Sequence, residues 1–226
     1  MKRFATSLLI LFVYFSTFSQ SQLVRNLAAG KNQTVVVYGT SLSSGGYGQA
    51  WMGAVARQLN EKYGNHLKYC LTGKGGMWST WAVQHLEDSV IQKQPDVVII
   101  EFGINDAFLN YHTSPDLARL NLEFMISRIQ MNRPSCEIIL QVMNMPIGKS
   151  AGFRPNITAY YDMYRKVARK RKLLLIDHYP NWKIILSQGE TEFLKHVPDG
   201  IHPNKESCIK IIAPEINKRL EGLNFK

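Results

Sequence analysis

From residue 30 onward the chain alternates short, continuously apolar runs with longer stretches of helical periodicity. Five runs, at 34–38, 67–71, 97–101, 138–143 and 173–176, are most of them aliphatic or β-branched on both faces, which is the pattern of strands buried on both sides of a parallel sheet. Between them, apolar positions recur at helical spacing over 49–62, 79–94, 115–132 and 156–171, and a last helical pattern closes the chain at 204–220. Pro115 suits a first helical turn and Asn156 a helix cap. The alternation predicts repeated βα units with right-handed crossovers, and therefore an α/β fold: a three-layer α/β/α sandwich around a five-stranded parallel sheet. No linker or low-complexity segment interrupts residues 30–226, which are read as one domain. In such folds the chemistry collects at the carboxyl ends of the strands.

The first twenty residues form a different object. Lys2 and Arg3 precede an apolar run over 8–15, and small and polar residues follow at 16–20. This is the layout of an export signal cleaved near residue 20, with an apolar run too short to span a bilayer. The expectation is an exported protein, periplasmic or secreted, with no stable membrane anchor after cleavage. Loss of Lys2 and Arg3 lowers the formal charge from +10 to +8, so the mature chain stays basic and favours anionic partners electrostatically. Six of the eight residues at 165–172 are Arg or Lys, without interleaved aromatics. At the end of a helical pattern this run reads as dipole-complementing and solvated, and no nucleic-acid partner is expected. Three scattered cysteines, Cys70, Cys136 and Cys208, form neither a disulfide scaffold nor a zinc site; one pair would leave one free thiol, and sequence does not choose the pair. The histidines 66, 85, 112, 178, 196 and 202 show no paired ligand spacing, so no metal and no cofactor is expected.

Several strand ends carry reactive groups. The run Val35-Val36-Val37-Tyr38 leads into Gly39-Thr40-Ser41, where a serine after a tight turn and ahead of a helix can present its hydroxyl and its backbone N–H to a cleft. An ordinary turn or cap serine is the plain alternative, and it applies equally to Ser43 and Ser44. Another buried strand ends at Gly103-Ile104-Asn105-Asp106, where Asn105 can supply an amide donor. The segment Thr72-Gly73-Lys74-Gly75-Gly76-Met77 offers backbone N–H groups with no side chain in the way, Gly76 foremost, with Gly73 and Gly75 close enough to compete. Near the C-terminus, Asp199-Gly200-Ile201-His202 places a carboxylate three residues before a histidine, so one short segment delivers a base and the group that orients it. Neither Gly45-Gly46-Tyr47-Gly48 nor Gly73-Lys74-Gly75-Gly76 matches a phosphate cradle.

Taken in order, Gly39-Thr40-Ser41-Leu42, the segment 72–79, Gly103-Ile104-Asn105-Asp106 and Asp199-Gly200-Ile201-His202 resemble the four blocks of the SGNH or GDSL-like hydrolases, over about residues 34–220. The resemblance implies a flavodoxin-like sandwich and a two-step esterase mechanism. Ser41 would be the nucleophile, His202 base then acid, and Asp199 the group that orients His202. Ser41 N–H, Gly76 N–H and the Asn105 side chain would form the oxyanion hole. Two positions depart from the family pattern: the usual Asp before the nucleophile is Thr40, and the usual Asn opening the second block is Leu71.

Exported members of this family often resemble carbohydrate O-acetylesterases. Aromatic and sulfur-bearing side chains near the expected cleft are Tyr47, Trp51, Met77, Trp78, Trp81, Phe108 and Tyr111. Trp51 and Trp81 sit inside helical patterns and read as core, whereas Trp78 and Tyr47 are the candidates for substrate contact. The expected substrate is a short-chain acyl ester, with acetyl on a glycan foremost. A lipid-type esterase or lysophospholipase, an acyltransferase that resolves the same acyl-enzyme with an alcohol, and an inactive glycan-binding scaffold stand as alternatives.

Overall fold

In the computed structural model, which describes residues 20–223, the five apolar runs pair as one all-parallel sheet. The strands are β1 (Gln33–Gly39), β2 (Leu67–Leu71), β3 (Val97–Glu101), β4 (Glu137–Val142) and β5 (Leu174–Asp177). Their order is β2-β1-β3-β4-β5, the flavodoxin-like arrangement, in which chain direction across the sheet reverses between β1 and β3. In register, Val36 lies between Cys70 of β2 and Val98 of β3. Every residue of β3 is buried, as are all but one in each of β1 and β4, which is why these strands carry no polar alternation. The leader predicted over 1–20 lies outside the described residues apart from Gln20.

Helix α1 (Gln22–Ala28) precedes β1, and the strands are followed by α2 (Gly45–Tyr63), α3 (Ser79–Gln84), α4 (Leu86–Ser89), α5 (Gly103–Asp106) and α6 (Pro115–Asn132). The second half contributes α7 (Gly148–Gly152), α8 (Ile157–Arg171), α9 (Tyr179–Ser187), α10 (Glu190–His196), α11 (Lys205–Ser207) and α12 (Ala213–Leu220). They form two groups, α1, α2 and α12 in one and α3, α6 and α8 in the other, completing a three-layer α/β/α sandwich. Among the described residues no helix is long and apolar enough to cross a membrane.

Some expected elements differ in detail. The pattern over 79–94 is not one helix but α3, α4 and a 3-10 turn, Ile91–Lys93. Asp88, Ser89 and Val90 are weak helix formers, and the break lets Val90 and Ile91 turn into the core. The closing helix is interrupted by a π-helical turn, Cys208–Ile212, and it starts after Asn204, whose side chain accepts from Ser207 N–H. Residues before 30 also contribute to the core: Leu23, Val24 and Leu27 of α1 are buried, and Ser21 N–H donates to Leu220 O at 2.9 Å. The three cysteines are free thiols, with Cys136 and Cys208 buried. The basic run at 165–172 ends α8 and is partly spent in ion pairs, Arg165 with Asp177 and Asp162, and Lys170 and Arg171 with Glu123.

Candidate active site

Strand β1 ends at Gly39, and the chain turns through a short 3-10 segment, Ser41–Ser43, before entering α2. The turn is gripped from below by Glu101, the last residue of β3. Its Oε2 accepts from Thr40 N–H at 3.2 Å, from the Thr40 hydroxyl at 2.7 Å and from the Ser43 hydroxyl at 3.0 Å. Thr40 Oγ1 in turn accepts from Leu42 N–H at 3.3 Å. Thr40 therefore supports the serine turn through a carboxylate borrowed from the neighbouring strand. Gly73 makes room for this packing: a Cβ there would lie 2.3 Å from Gly39 O, so only glycine lets the segment after β2 cross β1 at this distance.

Across the cleft, the loop after α10 presents His202. Its Nε2 lies 2.9 Å from Ser41 Oγ and its Nδ1 lies 2.6 Å from Asp199 Oδ2. A carboxylate only accepts, so Nδ1 carries the proton and Nε2 is the acceptor for the Ser41 hydroxyl. Asp199 Oδ1 also accepts from His202 N–H at 2.7 Å and from Ile201 N–H at 3.0 Å. Partial burial pushes the Asp199 carboxyl up, but the hydrogen bonds from His202 and Ile201 outweigh it and hold the group below its usual value. Gly200 adopts φ +76°, and a Cβ there would meet Ile147 O at 2.9 Å, so the bend between Asp199 and His202 needs glycine. The loop is tied to the chain beyond β4 by Ile147 N–H to Gly200 O at 2.8 Å and by the Asn144 amide to Ile201 O at 3.0 Å.

The candidate oxyanion donors come from three segments. Among the described residues, Ser41, Gly75 and Gly76 N–H donate to no protein acceptor. Gly75 touches Ser41, a Cβ there lying 3.6 Å from the serine Cβ, whereas Gly76 lies beneath Tyr111, whose hydroxyl donates to Gly76 O. The Asn105 amide nitrogen donates to Met77 O at 2.9 Å, which leaves its second N–H free, and its carbonyl oxygen accepts from Arg154 Nη2 at 3.3 Å. Trp78 is half-buried and stacks on Tyr111 at 4.3 Å, and Tyr47, more exposed, stacks on the His202 ring at 5.0 Å. Trp51 is wholly buried and Trp81 packs against the core.

Three further groups support the site: Glu101, Asp106 of the 103–106 block, and Arg154. Burial pushes Glu101 up to about 7 against the hydrogen bonds from Thr40 and Ser43, and Asp106 beside it adds to the rise. Burial likewise pushes Asp106 to about 7, opposed by Ser79. Glu101 was visible as a carboxylate closing an otherwise apolar strand, Val97-Val98-Ile99-Ile100-Glu101, a costly placement that marks a structural or functional duty. Arg154 had no such signal, being one arginine in a loop. Among the described residues, no group of His, Cys, Asp and Glu could hold a metal ion.

Comparison with known proteins identifies the family and the fold. The profile of the GDSL-like lipase/acylhydrolase family matches residues 37–207. An arylesterase of Vibrio mimicus is 24% identical over 199 residues, covering 85% of this chain and 92% of that protein. Two crystal structures share the fold. A lipase/acylhydrolase from Enterococcus faecalis has a TM-score of 0.72 at 21% identity, covering 84% of this chain and 96% of its own. A catalytic mutant of an acetylxylan esterase from Geobacillus stearothermophilus has a TM-score of 0.72 at 18% identity, covering 87% and 98%.

Proposed function

Because the chain belongs to the GDSL-like lipase/acylhydrolase family of carboxylic ester hydrolases, we propose that it is an exported serine esterase that removes short acyl groups, acetyl foremost, from carbohydrate hydroxyls. The observation that carries this reading is the unbroken relay from Ser41 Oγ through His202 to Asp199, at 2.9 and 2.6 Å. As the Ser41 oxygen attacks the ester carbonyl, its proton passes to His202 Nε2, and Asp199 stabilises the imidazolium that forms. The negative charge on the carbonyl oxygen is met by Ser41 N–H, by Gly76 N–H with Gly75 N–H beside it, and by the free N–H of Asn105. Collapse breaks the bond to the alcohol, which leaves with the proton from His202. Water then repeats the sequence on the acyl-enzyme, releasing the carboxylic acid and restoring the Ser41 hydroxyl.

Support for a sugar alcohol comes from the half-buried Trp78–Tyr111 stack beside Gly76 and from Tyr47 on the opposite rim, since flat aromatic faces pack against the apolar faces of sugar rings. The fold is also shared with an acetylxylan esterase. Export is supported by the charged and apolar pattern of the first twenty residues. The test is hydrolysis of p-nitrophenyl acetate and of acetylated xylan by the mature protein and its Ser41→Ala variant, with octanoyl ester in parallel. Expected are acetate release from both acetyl substrates, weak octanoyl turnover, and a kcat loss on the order of 10⁶-fold in Ser41→Ala with unchanged melting. Turnover that survives Ser41→Ala removes the serine mechanism, and a preference for octanoyl removes the short-acyl assignment.

A further inference from the structure

Arg154, in the loop between α7 and α8, is buried, and each of its nitrogens donates to an uncharged acceptor. Nε donates to Ile104 O at 2.8 Å, Nη1 to Ser150 O at 3.3 Å and Nη2 to Asn105 Oδ1 at 3.3 Å, while the guanidinium lies 4.9 Å over the Phe108 ring. Among the described residues it has no carboxylate partner, and the ionisable groups that bear on it are the phenols Tyr161 and Tyr111. Arg133, Arg165 and Arg171, all less buried, each pair with a carboxylate. Enclosing a cation without a counter-charge is costly, and burial lowers the Arg154 pKa accordingly. The placement makes sense through what Arg154 touches.

We propose that Arg154 is a positioning residue for the oxyanion hole: it fixes the Asn105 amide with its N–H turned to the cleft and holds an uncompensated positive charge beside the place where negative charge develops. This rests on the serine esterase reading above. An asparagine amide can rotate to exchange its oxygen and nitrogen. Here the rotated form would set the amide N–H groups against the Arg154 donors and forfeit the bond to Met77 O, so Arg154 and Met77 together select one orientation. The loop that carries Arg154 is bound to the Asn105 segment at two further points, Arg154 Nε to Ile104 O and Leu109 N–H to Phe153 O at 3.0 Å. In the ground state the guanidinium meets only neutral acceptors. As the carbonyl oxygen becomes an oxyanion, the cation gains its missing counter-charge through the Asn105 amide, and a contact that strengthens only then lowers the barrier.

The experiment measures kcat and KM on p-nitrophenyl acetate for wild type, Arg154→Met, Arg154→Lys, Asn105→Ala and the Asn105→Ala/Arg154→Met double variant, with melting curves for each. Expected is a kcat loss of about 10- to 100-fold in Arg154→Met with KM nearly unchanged, below the ~10²–10³ typical of losing an oxyanion donor itself. In the Asn105→Ala background the same change should cost less than about threefold, the non-additivity of two groups acting as one. Arg154→Lys keeps the charge without the planar fork and should fall between, and it serves as the reference if Arg154→Met melts early. An undiminished kcat in either folded Arg154 variant overturns the proposal, as does an equal loss with and without Asn105. Loss of the serine reading is seen separately, as Ser41→Ala retaining turnover.

Discussion

Ser41 and His202 meet at 2.9 Å, but the segments that carry them are built on different physics. The nucleophile turn is enclosed: Thr40, Ser43, Glu101 and Asp106 are each at most 1% exposed, and the turn hangs on a buried carboxyl. The base loop is open, with the Asp199 side chain 53% exposed, and it is held by backbone hydrogen bonds and the bend at Gly200. Buried charge costs folding free energy and depends on protonation, whereas a solvated turn held by its own backbone costs little. The nucleophile half therefore couples geometry to stability, and the base half can be altered chemically without disturbing the fold.

The widest gap between the halves should appear when each loses its carboxylate. Asp199→Ala removes the carboxylate bonded to His202 Nδ1 and, on the proposed triad, should lower kcat by about 10⁴-fold, the loss typical of an orienting Asp in Ser-His-Asp hydrolases, while leaving the melting temperature unchanged. Glu101→Ala leaves the Thr40 and Ser43 hydroxyls without their acceptor, while Thr40 N–H keeps the Glu101 backbone O at 3.1 Å, and should destabilise the protein by about 1–3 kcal/mol. Parallel melting curves and p-nitrophenyl acetate kinetics check both. Equal loss of stability in the two variants would erase the distinction.

A smaller separation should appear with pH. Glu101 and Asp106 have ordinary values of 4.5 and 3.8 in the unfolded chain and about 7 in the fold. Each binds its proton more tightly when folded, so its contribution to stability is complete below about 4 and is lost as pH rises through about 7. His178 runs the other way: burial lowers it from 6.5 to about 3, so its contribution is present above 6.5 and is lost as pH falls toward 3. With two acids against one histidine, stability should fall as pH rises from 4.5 to beyond 7. Urea unfolding across that range should show the decline in wild type and a flatter profile in Glu101→Gln. Superimposable slopes would remove Glu101 as a source of the decline.

The division into buried and open halves also explains what could be read from the chain beforehand. The sheet was legible because β1, β3 and β4 are buried on both faces and leave apolar runs, and helix 115–132 was legible because its apolar positions keep helical spacing behind Pro115 in the first turn. Ser41, Asn105, Asp199 and His202 were legible because each lies in a short local pattern at a strand end or turn. The helices α7, α9 and α10 were not, since a short helix on an irregular connection leaves little periodicity. Glu101 and Arg154 act on Ser41 and Asn105 from 60 and 49 positions away in the chain, and such partnerships exist only once the sheet has brought β1 beside β3 and the 153–154 loop against the Asn105 segment.

The finest test of the open half concerns Tyr47, whose ring lies parallel to the His202 imidazole, 5.0 Å between centroids and 10° between planes. The contact needs the ring and not the hydroxyl, which makes it separable from hydrogen bonding. When His202 takes the Ser41 proton it becomes a cation against an aromatic face, a contact worth about 0.5–1 kcal/mol at an exposed site. Tyr47→Phe should keep kcat on p-nitrophenyl acetate near wild type, and Tyr47→Ala should lower it about two- to fivefold without a change in melting, in keeping with that energy. If Tyr47 also stacks on a sugar, Tyr47→Ala should raise KM on acetylated xylan while leaving KM on p-nitrophenyl acetate unchanged. A Tyr47→Phe loss as large as that of Tyr47→Ala would move the role from the ring face to the hydroxyl, and the base loop would then depend on a side-chain hydrogen bond as the nucleophile turn does.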